Sequence, residues 1–160
     1  EALSNYTLLN NSRMKRLDKT IKIEEAVLEK FQQYHKNVTW LVITESWCGD
    51  AAHTLPVMNK LVGQAKNLDL KILYRDENEE LMNRFLTNGT MSIPKLIVFD
   101  NETKEVINDW GPAPLIIMNK TKHFKATHAT LTTEFKKEIQ IWYNQNKGKC
   151  IAGDLLKLIE

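Results

Sequence analysis

Apolar positions along the first third of the chain change their spacing, and each spacing predicts a different element. Residues 1–37 carry apolar side chains at helical spacing and predict two helical segments. Residues 39–44 (TWLVIT) are apolar and β-branched, which favours a strand covered on both faces and therefore a central one. From Cys48 to Val62 apolar residues recur every three to four positions and predict a helix. Pro56 lies inside it, where a kink rather than a break is expected.

The middle of the chain alternates between strand and helix patterns. Leu70, Ile72 and Tyr74 alternate with polar residues and predict a second strand. Asp76 and Glu79 have the spacing of a capping box at the start of a helix that Asn88-Gly89 ends. Two more strands are predicted at residues 92–100 and 104–110, joined by a turn. The helices between strands indicate an α/β fold.

The last third of the chain is predicted to be helical after residues 111–114 (GPAP) close the strand region. An amphipathic helix is indicated by a spacing of four, four and three between Leu131, Phe135, Ile139 and Trp142. Gly148 is expected to end it, and a short last helix follows over residues 151–159.

Composition narrows the class of protein. With 160 residues and 42% hydrophobic content, the chain fits one domain, residues 1–160, with residues 1–37 as a helical extension of a core at 38–160. A net charge of +2 without a basic stripe argues against nucleic-acid binding. No apolar run approaches about 18 residues, so no membrane span or anchor is expected, and no signal peptide is visible. Two cysteines 102 positions apart fit a reducing, cytoplasmic location.

Cys48 is the main chemical candidate, because it falls where a strand meets a helix. Unpaired backbone N–H groups and the helix dipole favour an anion there, and the thiolate is the reactive form of cysteine. Asp50 would place a carboxylate two residues away and oppose this effect. We therefore expect a thiolate fraction at neutral pH that is substantial without being dominant. The alternative is a small buried hydrophobe, the usual role of a free cysteine.

These elements and motifs together resemble the thioredoxin-like superfamily. The resemblance is carried by Trp47-Cys48-Gly49 after a strand, Pro56 in the following helix, Ile93-Pro94 before a hairpin and the final 131–142 pattern. The variant with Asp50 after the glycine is similar to a subgroup of bacterial thioredoxin-family proteins. The resemblance covers residues 38–111 well and leaves the N-terminal helices outside.

The resemblance implies a fold and a set of site residues. The fold is a central mixed sheet of about four strands flanked by helices, with extra helices at the N-terminus. Cys48 would be the catalytic thiol, and a cis Ile93–Pro94 bond would face it, leaving the Ile93 backbone open to pair with an extended substrate. The implied substrate-binding residues are Trp47, Gly49, Asp50, Ile93 and Pro94.

The chain departs from the family's redox pattern in ways that change the expected chemistry. Ala51 stands where redox members usually have a second cysteine, Asp50 where they have proline, and Val42 where they have a buried acid. Without a second thiol to attack it, a mixed disulfide on Cys48 would last until an external low-molecular-weight thiol released it.

Other candidate groups have simpler interpretations. His53 with Cys48 and Asp50 makes a poor metal-ligand set, so no metal is predicted and His53 is expected to face solvent. Cys150 is expected to be inert rather than paired with Cys48. A basic cluster near residue 124 is interpreted as a solvated face or, alternatively, as a contact for an anionic partner. Its members are Lys120, Lys122, His123, Lys125 and His128.

Three classes of function remain open. The first is a monothiol thiol–disulfide oxidoreductase acting through Cys48 on a protein or low-molecular-weight disulfide, without a cofactor. The second is a non-catalytic module that binds an extended peptide in the groove beside Trp47 and Pro94. The third holds a metal cluster through Cys48, as monothiol glutaredoxins do. The sequence predicts no oligomeric state.

Overall fold

The computed structural model describes residues 2–160 and follows the predicted alternation of elements. Two helices come first, then strands and helices alternate, and the chain ends in three helices. Within residues 2–160 the helices are α1 Ala2–Thr20, α2 Glu25–Gln32, α3 Gly49–Val62, α4 Glu79–Asn83, α5 Leu115–Thr127, α6 Thr133–Asn146 and α7 Lys149–Leu156. The strands are β1 Val38–Thr44, β2 Leu68–Tyr74, β3 Lys95–Asp100 and β4 Glu105–Trp110.

The four strands form one mixed sheet in the order β2-β1-β3-β4. The pair β1 and β2 is parallel, with Val38 opposite Leu68, whereas β1 and β3 are antiparallel, with Val38 opposite Asp100. The hairpin β3–β4 is antiparallel and shifts register between Val98 and Phe99. This confirms the predicted fold class and the central place of β1, whose uninterrupted apolar run suits a strand with neighbours on both sides.

The main core lies between the sheet and helices α1, α2, α3, α5, α6 and α7. Trp40 from β1 meets Phe31 from α2 edge to face, with ring centroids 5.8 Å apart. A second, smaller apolar cluster surrounds Cys48 at the end of β1. Its buried members are Ile43, Cys48, Ala51, Met82, Ile93 and Ile97.

Helix α3 runs from Gly49 to Val62 without a break, although Pro56 lies inside it and is buried. This agrees with the expectation that proline would not end the helix. The helix presents a buried face to both clusters, since Ala51 joins the smaller one and Val57, Met58 and Leu61 join the main core. Burial of this face stabilises α3 despite the backbone hydrogen bond that Pro56 removes.

The capping box predicted at Asp76 and Glu79 is wrong. Residues Arg75–Glu77 form a short 3₁₀ turn, and α4 begins only at Glu79, after Asn78. The Asp76 side chain accepts a hydrogen bond from Arg75 Nε at 3.0 Å instead of capping a helix. The Asp76 carboxylate pairs with the Arg75 side chain and not with a backbone N–H of the helix. The spacing of Asp76 and Glu79 does not reveal this competing partner.

Helix α6 is confirmed with a shifted start and a revised buried face. Its N-cap is Thr132, whose Oγ1 accepts a hydrogen bond from the Phe135 backbone N–H at 3.2 Å, so Leu131 lies before the helix. The buried face is Phe135, Ile139 and Tyr143, at a constant spacing of four. The helix ends through Lys147 and Gly148, both with left-handed backbone, which confirms the predicted stop at Gly148.

Of the helices within residues 2–160, none combines the length and the apolar character that a membrane crossing requires.

Candidate functional site at Cys48

Cys48 lies at the junction of β1 and α3, as the sequence predicted. It is the N-cap residue of α3, with φ −75° and ψ 117°. The Cys48 backbone N–H donates to the Glu45 carbonyl at 3.1 Å, and the Cys48 carbonyl accepts from the Ala52 N–H at 3.2 Å. These bonds close the turn that carries the chain from the sheet into the helix and fix the thiol at the first turn of α3.

The thiol faces the loop before β3. Cys48 Sγ donates to the Ile93 carbonyl at 3.5 Å, and the Ile93–Pro94 peptide bond is cis. Two residues 45 positions apart therefore meet, as the resemblance implied. Ile93 and Pro94 are both buried, however, and the Ile93 carbonyl is occupied by the thiol. In this conformation the Ile93 carbonyl pairs with the thiol, and pairing of the Ile93 backbone with an extended substrate stays a prediction.

The expected acidity of the thiol is wrong. Burial, the largest cause, raises the pKa of Cys48 from 9.0 to about 11. Hydrogen bonds from the backbone of Ala51 and Asp50 lower that pKa, but the Asp50 charge raises it. The residue is 7% exposed, so the favourable position at a helix start is outweighed by the loss of solvation of a thiolate.

Helix α1 covers the Cys48 turn and helps to explain this burial. Asn10, which is 2% exposed, donates from Nδ2 to the Ser46 carbonyl at 3.1 Å. The hydroxyls of Thr7 and Ser46 lie 3.1 Å apart. A cavity of about 150 Å³ remains between α1 and the turn, lined by Asn10 and Met14 on one side and Cys48 on the other. Helix α1 is thus part of the site, which the sequence did not predict.

The Asp50 carboxylate is hydrogen-bonded inside the protein and is not a free surface group. Its Oδ1 accepts a hydrogen bond from the Tyr143 hydroxyl at 2.6 Å, across 93 positions of sequence. Burial raises the pKa of Asp50 above its ordinary value, and the Tyr143 hydrogen bond opposes that rise. Tyr143 was missed by the sequence analysis, although its place four residues after Ile139 on α6 could have indicated it.

His53 does not face solvent, so that expectation is wrong. It is 3% exposed, stacks on Tyr143 with ring centroids 4.3 Å apart, and its Nε2 lies 2.8 Å from Gln140 Oε1. Burial lowers the pKa of His53 to about 4, so the ring is neutral at pH 7. His53 follows Asp50 one turn later on the same face of α3. Tyr143 of α6 contacts both side chains, and His53 is buried while Asp50 is half-buried.

The flanking predicted residues lie beside Cys48 in different environments. Trp47 is half-buried against the small cluster, and the Arg75 guanidinium lies 5.3 Å from the centroid of its ring. Gly49 faces Gln140 and Arg13, since a Cβ placed on it would lie 3.4 Å from Gln140 Nε2 and 3.7 Å from Arg13 Nη1. Trp47 thus lies beside the thiol, and Arg13 of α1 and Gln140 of α6 lie beside Gly49.

Neither a second sulfur nor a metal-ligand group stands beside the thiol in the described chain. Ala51 is 2% exposed within the Cys48 cluster. Cys150 forms no disulfide and is hydrogen-bonded to Asn146 at the junction of α6 and α7. Across residues 2–160, no three His, Cys, Asp or Glu side chains are grouped to hold a metal ion. In the basic cluster of α5, Lys120 pairs with Glu138.

The comparisons with known proteins agree with this architecture. A crystal structure of a protein of unknown function from Pseudomonas aeruginosa has a TM-score of 0.72 and 17% identity, covering 94% of this chain and 84% of that one. An HIV epitope-scaffold gives a TM-score of 0.69 and 18% identity, covering 98% and 90%. At these identities the likeness concerns the fold. No curated protein sequence matches the chain.

A family model described as "Thioredoxin" matches residues 1–140. The match begins at the first residue and therefore includes α1 and α2, which the sequence resemblance had left outside. It also spans β1, the Cys48 turn, the Ile93–Pro94 bond and most of α6. The chain belongs to this thioredoxin family.

Proposed function

We propose that the protein is a monothiol thiol–disulfide oxidoreductase that forms mixed disulfides through Cys48. The observation that carries the proposal is the placement of the Cys48 sulfur at the start of α3, 3.5 Å from the Ile93 carbonyl, with Ala51 where a second thiol would stand. The cavity of about 150 Å³ beside Cys48 has room for one small side chain or thiol. The partners are a protein or low-molecular-weight disulfide and a low-molecular-weight thiol.

The first step consumes a disulfide. The Cys48 thiol gives its proton to solvent, and the thiolate attacks one sulfur of the substrate disulfide. The substrate S–S bond breaks and a bond between Cys48 and one half of the substrate forms. The other half leaves as a thiolate and takes up a proton. Cys48 is oxidised and the leaving half is reduced.

The second step uses a low-molecular-weight thiol as reductant. Its thiolate attacks the substrate sulfur of the mixed disulfide, which releases Cys48 and leaves a new disulfide between the substrate half and the reductant. Ala51 cannot perform this attack, so the lifetime of the adduct depends on the concentration of the external thiol. A long-lived mixed disulfide is therefore the signature of this mechanism.

The proposal is tested with glutathione disulfide and intact-protein mass spectrometry. A Cys150→Ser variant removes the other thiol, and it should gain one glutathione per chain that persists until reduced glutathione is added. A Cys48→Ser, Cys150→Ser double variant is the matched control and should gain none. The oxidoreductase function is refuted if native Cys150→Ser protein stays unmodified while the same protein, unfolded in denaturant, reacts fully.

A second candidate function is a non-catalytic module that binds a protein segment. It is favoured by the burial of Cys48, which is 7% exposed with its pKa raised to about 11. A binding module needs only the surface around Trp47 and Arg75, and Cys48 would then be a packing residue. Cys48→Ser separates the two functions, since it should abolish capture of partners as mixed disulfides but leave non-covalent binding intact.

A further inference from the structure

A second cavity, separate from the one beside Cys48, lies between α1, α3 and the end of α6. Its volume is about 270 Å³. Arg13 and Arg16 line it from α1, Lys147 from the end of α6 and His53 from α3. Among residues 2–160, no carboxylate contributes to the lining. The three cationic side chains therefore give the cavity a positive charge that none of its described lining residues offsets.

The two arginines of this cavity have neutral hydrogen-bond partners. Arg13 Nη1 donates to Asn10 Oδ1 at 2.9 Å, and Arg16 Nη2 donates to Asn144 Oδ1 at 2.7 Å. Among residues 2–160, the ion pairs involve none of Arg13, Arg16 and Lys147. Each guanidinium has five N–H donors, so most of them remain available to a ligand.

The positive charges of the two arginines also repel each other. Burial lowers the pKa of Arg13, and the charge of Arg16 lowers it further. Both arginine charges act on the buried His53 ring as well and, after burial, contribute to its low pKa. Like charges held together beside a neutral buried ring are stabilised by an anion placed between them.

We propose that this cavity binds a phosphate group, either free or as the monoester of a small molecule. Two guanidinium groups with an ammonium match the oxygens of a phosphate, which accept paired N–H bonds. The cavity of about 270 Å³ is larger than a phosphate ion needs, so a small ester also fits. Binding here uses α1, α3 and α6 and is independent of the thiol chemistry of Cys48.

Isothermal titration calorimetry at constant ionic strength tests the site, with inorganic phosphate and glycerol 3-phosphate as probes. Saturable binding in the millimolar range or tighter is expected for at least one probe. Arg13→Gln and Arg16→Gln should each weaken binding by about tenfold or more, as charge-assisted bonds to phosphate imply. Arg84→Gln, an exposed arginine after α4 and away from the cavity, is the matched control and should change the affinity less than twofold.

The outcomes of the titration separate the possible ligands. Tighter binding of glycerol 3-phosphate assigns the site to an ester, and equal or tighter binding of inorganic phosphate assigns it to the free ion. The proposal is overturned if neither probe saturates by about 10 mM, or if both arginine variants bind like Arg84→Gln.

Histidine NMR gives a second readout that does not depend on the variants. Of the four histidines, His53 alone lines the cavity. Its ring resonances should shift on addition of the probe, while those of the other three stay nearly constant. Equal shifts at all four would indicate general ionic effects and count against the site.

Discussion

The buried state of the Cys48 thiol predicts how slowly it reacts and how its rate depends on pH. A pKa of about 11 instead of 9.0 lowers the thiolate fraction at pH 7 about 100-fold. A more basic thiolate is a better nucleophile. With a Brønsted coefficient of about 0.45, a rise of two pKa units increases the rate constant of the thiolate roughly eightfold. We therefore expect native Cys48 to react with a small disulfide about tenfold more slowly than the unfolded chain at pH 7. Restricted access to the cavity slows it further.

The assay uses Cys150→Ser protein and excess 2-hydroxyethyl disulfide, with adduct formation followed by mass spectrometry from pH 6 to pH 10. The logarithm of the native rate should rise with unit slope through pH 9, because the native thiol is still mostly protonated there. The unfolded chain in denaturant supplies the reference and should level off near its ordinary pKa. Far-UV circular dichroism at each pH confirms that the native fold is retained.

A variant at Asp50 tests the causes assigned to the raised pKa of Cys48. Asp50→Asn removes a charge that raises the pKa of Cys48, while it keeps an acceptor for the Tyr143 hydroxyl. The rate at pH 7 should increase, but by less than about tenfold, because burial is the larger cause. A native plateau at or below pH 8, or a native rate at pH 7 equal to that of the unfolded chain, would refute this account of the thiol.

Three further predictions concern the resolving position, a buried histidine and a close backbone contact. Ala51→Cys supplies an internal attacking thiol, so the glutathione adduct on Cys48 should decay at least about tenfold faster, with an internal disulfide as product; unchanged adduct lifetimes would contradict the geometry. The folded pKa of His53 lies below its unfolded value, so stability is present above pH 6.5 and is lost as pH falls toward 4; by pH 5 the loss is about 2 kcal/mol in urea unfolding. His53→Gln should lose that part of the acid dependence, and an unaltered dependence would argue against a buried neutral ring. Gly111 has φ 117°, and a Cβ there would lie 2.3 Å from the Pro94 carbonyl oxygen, so Gly111→Ala should lower the free energy of unfolding by about 2–3 kcal/mol. Gly153→Ala in α7 meets nothing within 4 Å and is the matched control, expected to be neutral or slightly stabilising.

Most of the fold was accessible from local patterns. The apolar run of residues 39–44 indicated a central strand, and the spacing after Cys48 indicated the helix that follows it, because both signals depend only on which faces are covered. The cis Ile93–Pro94 bond came from the resemblance and is present. The prediction of a capping box at Asp76 was wrong because the Asp76 carboxylate accepts a hydrogen bond from the Arg75 side chain.

The sequence by itself determined that one thiol stands at the start of a helix without a second thiol one turn later, since Cys48 and Ala51 lie within four consecutive residues. Tertiary structure alone decided the state of that thiol. Helix α1 lies across the turn through Asn10 and Ser46, and Tyr143 reaches Asp50 across 93 positions of sequence. The pKa of a side chain depends on the solvent and charges around it, and those surroundings exist only after distant segments have packed.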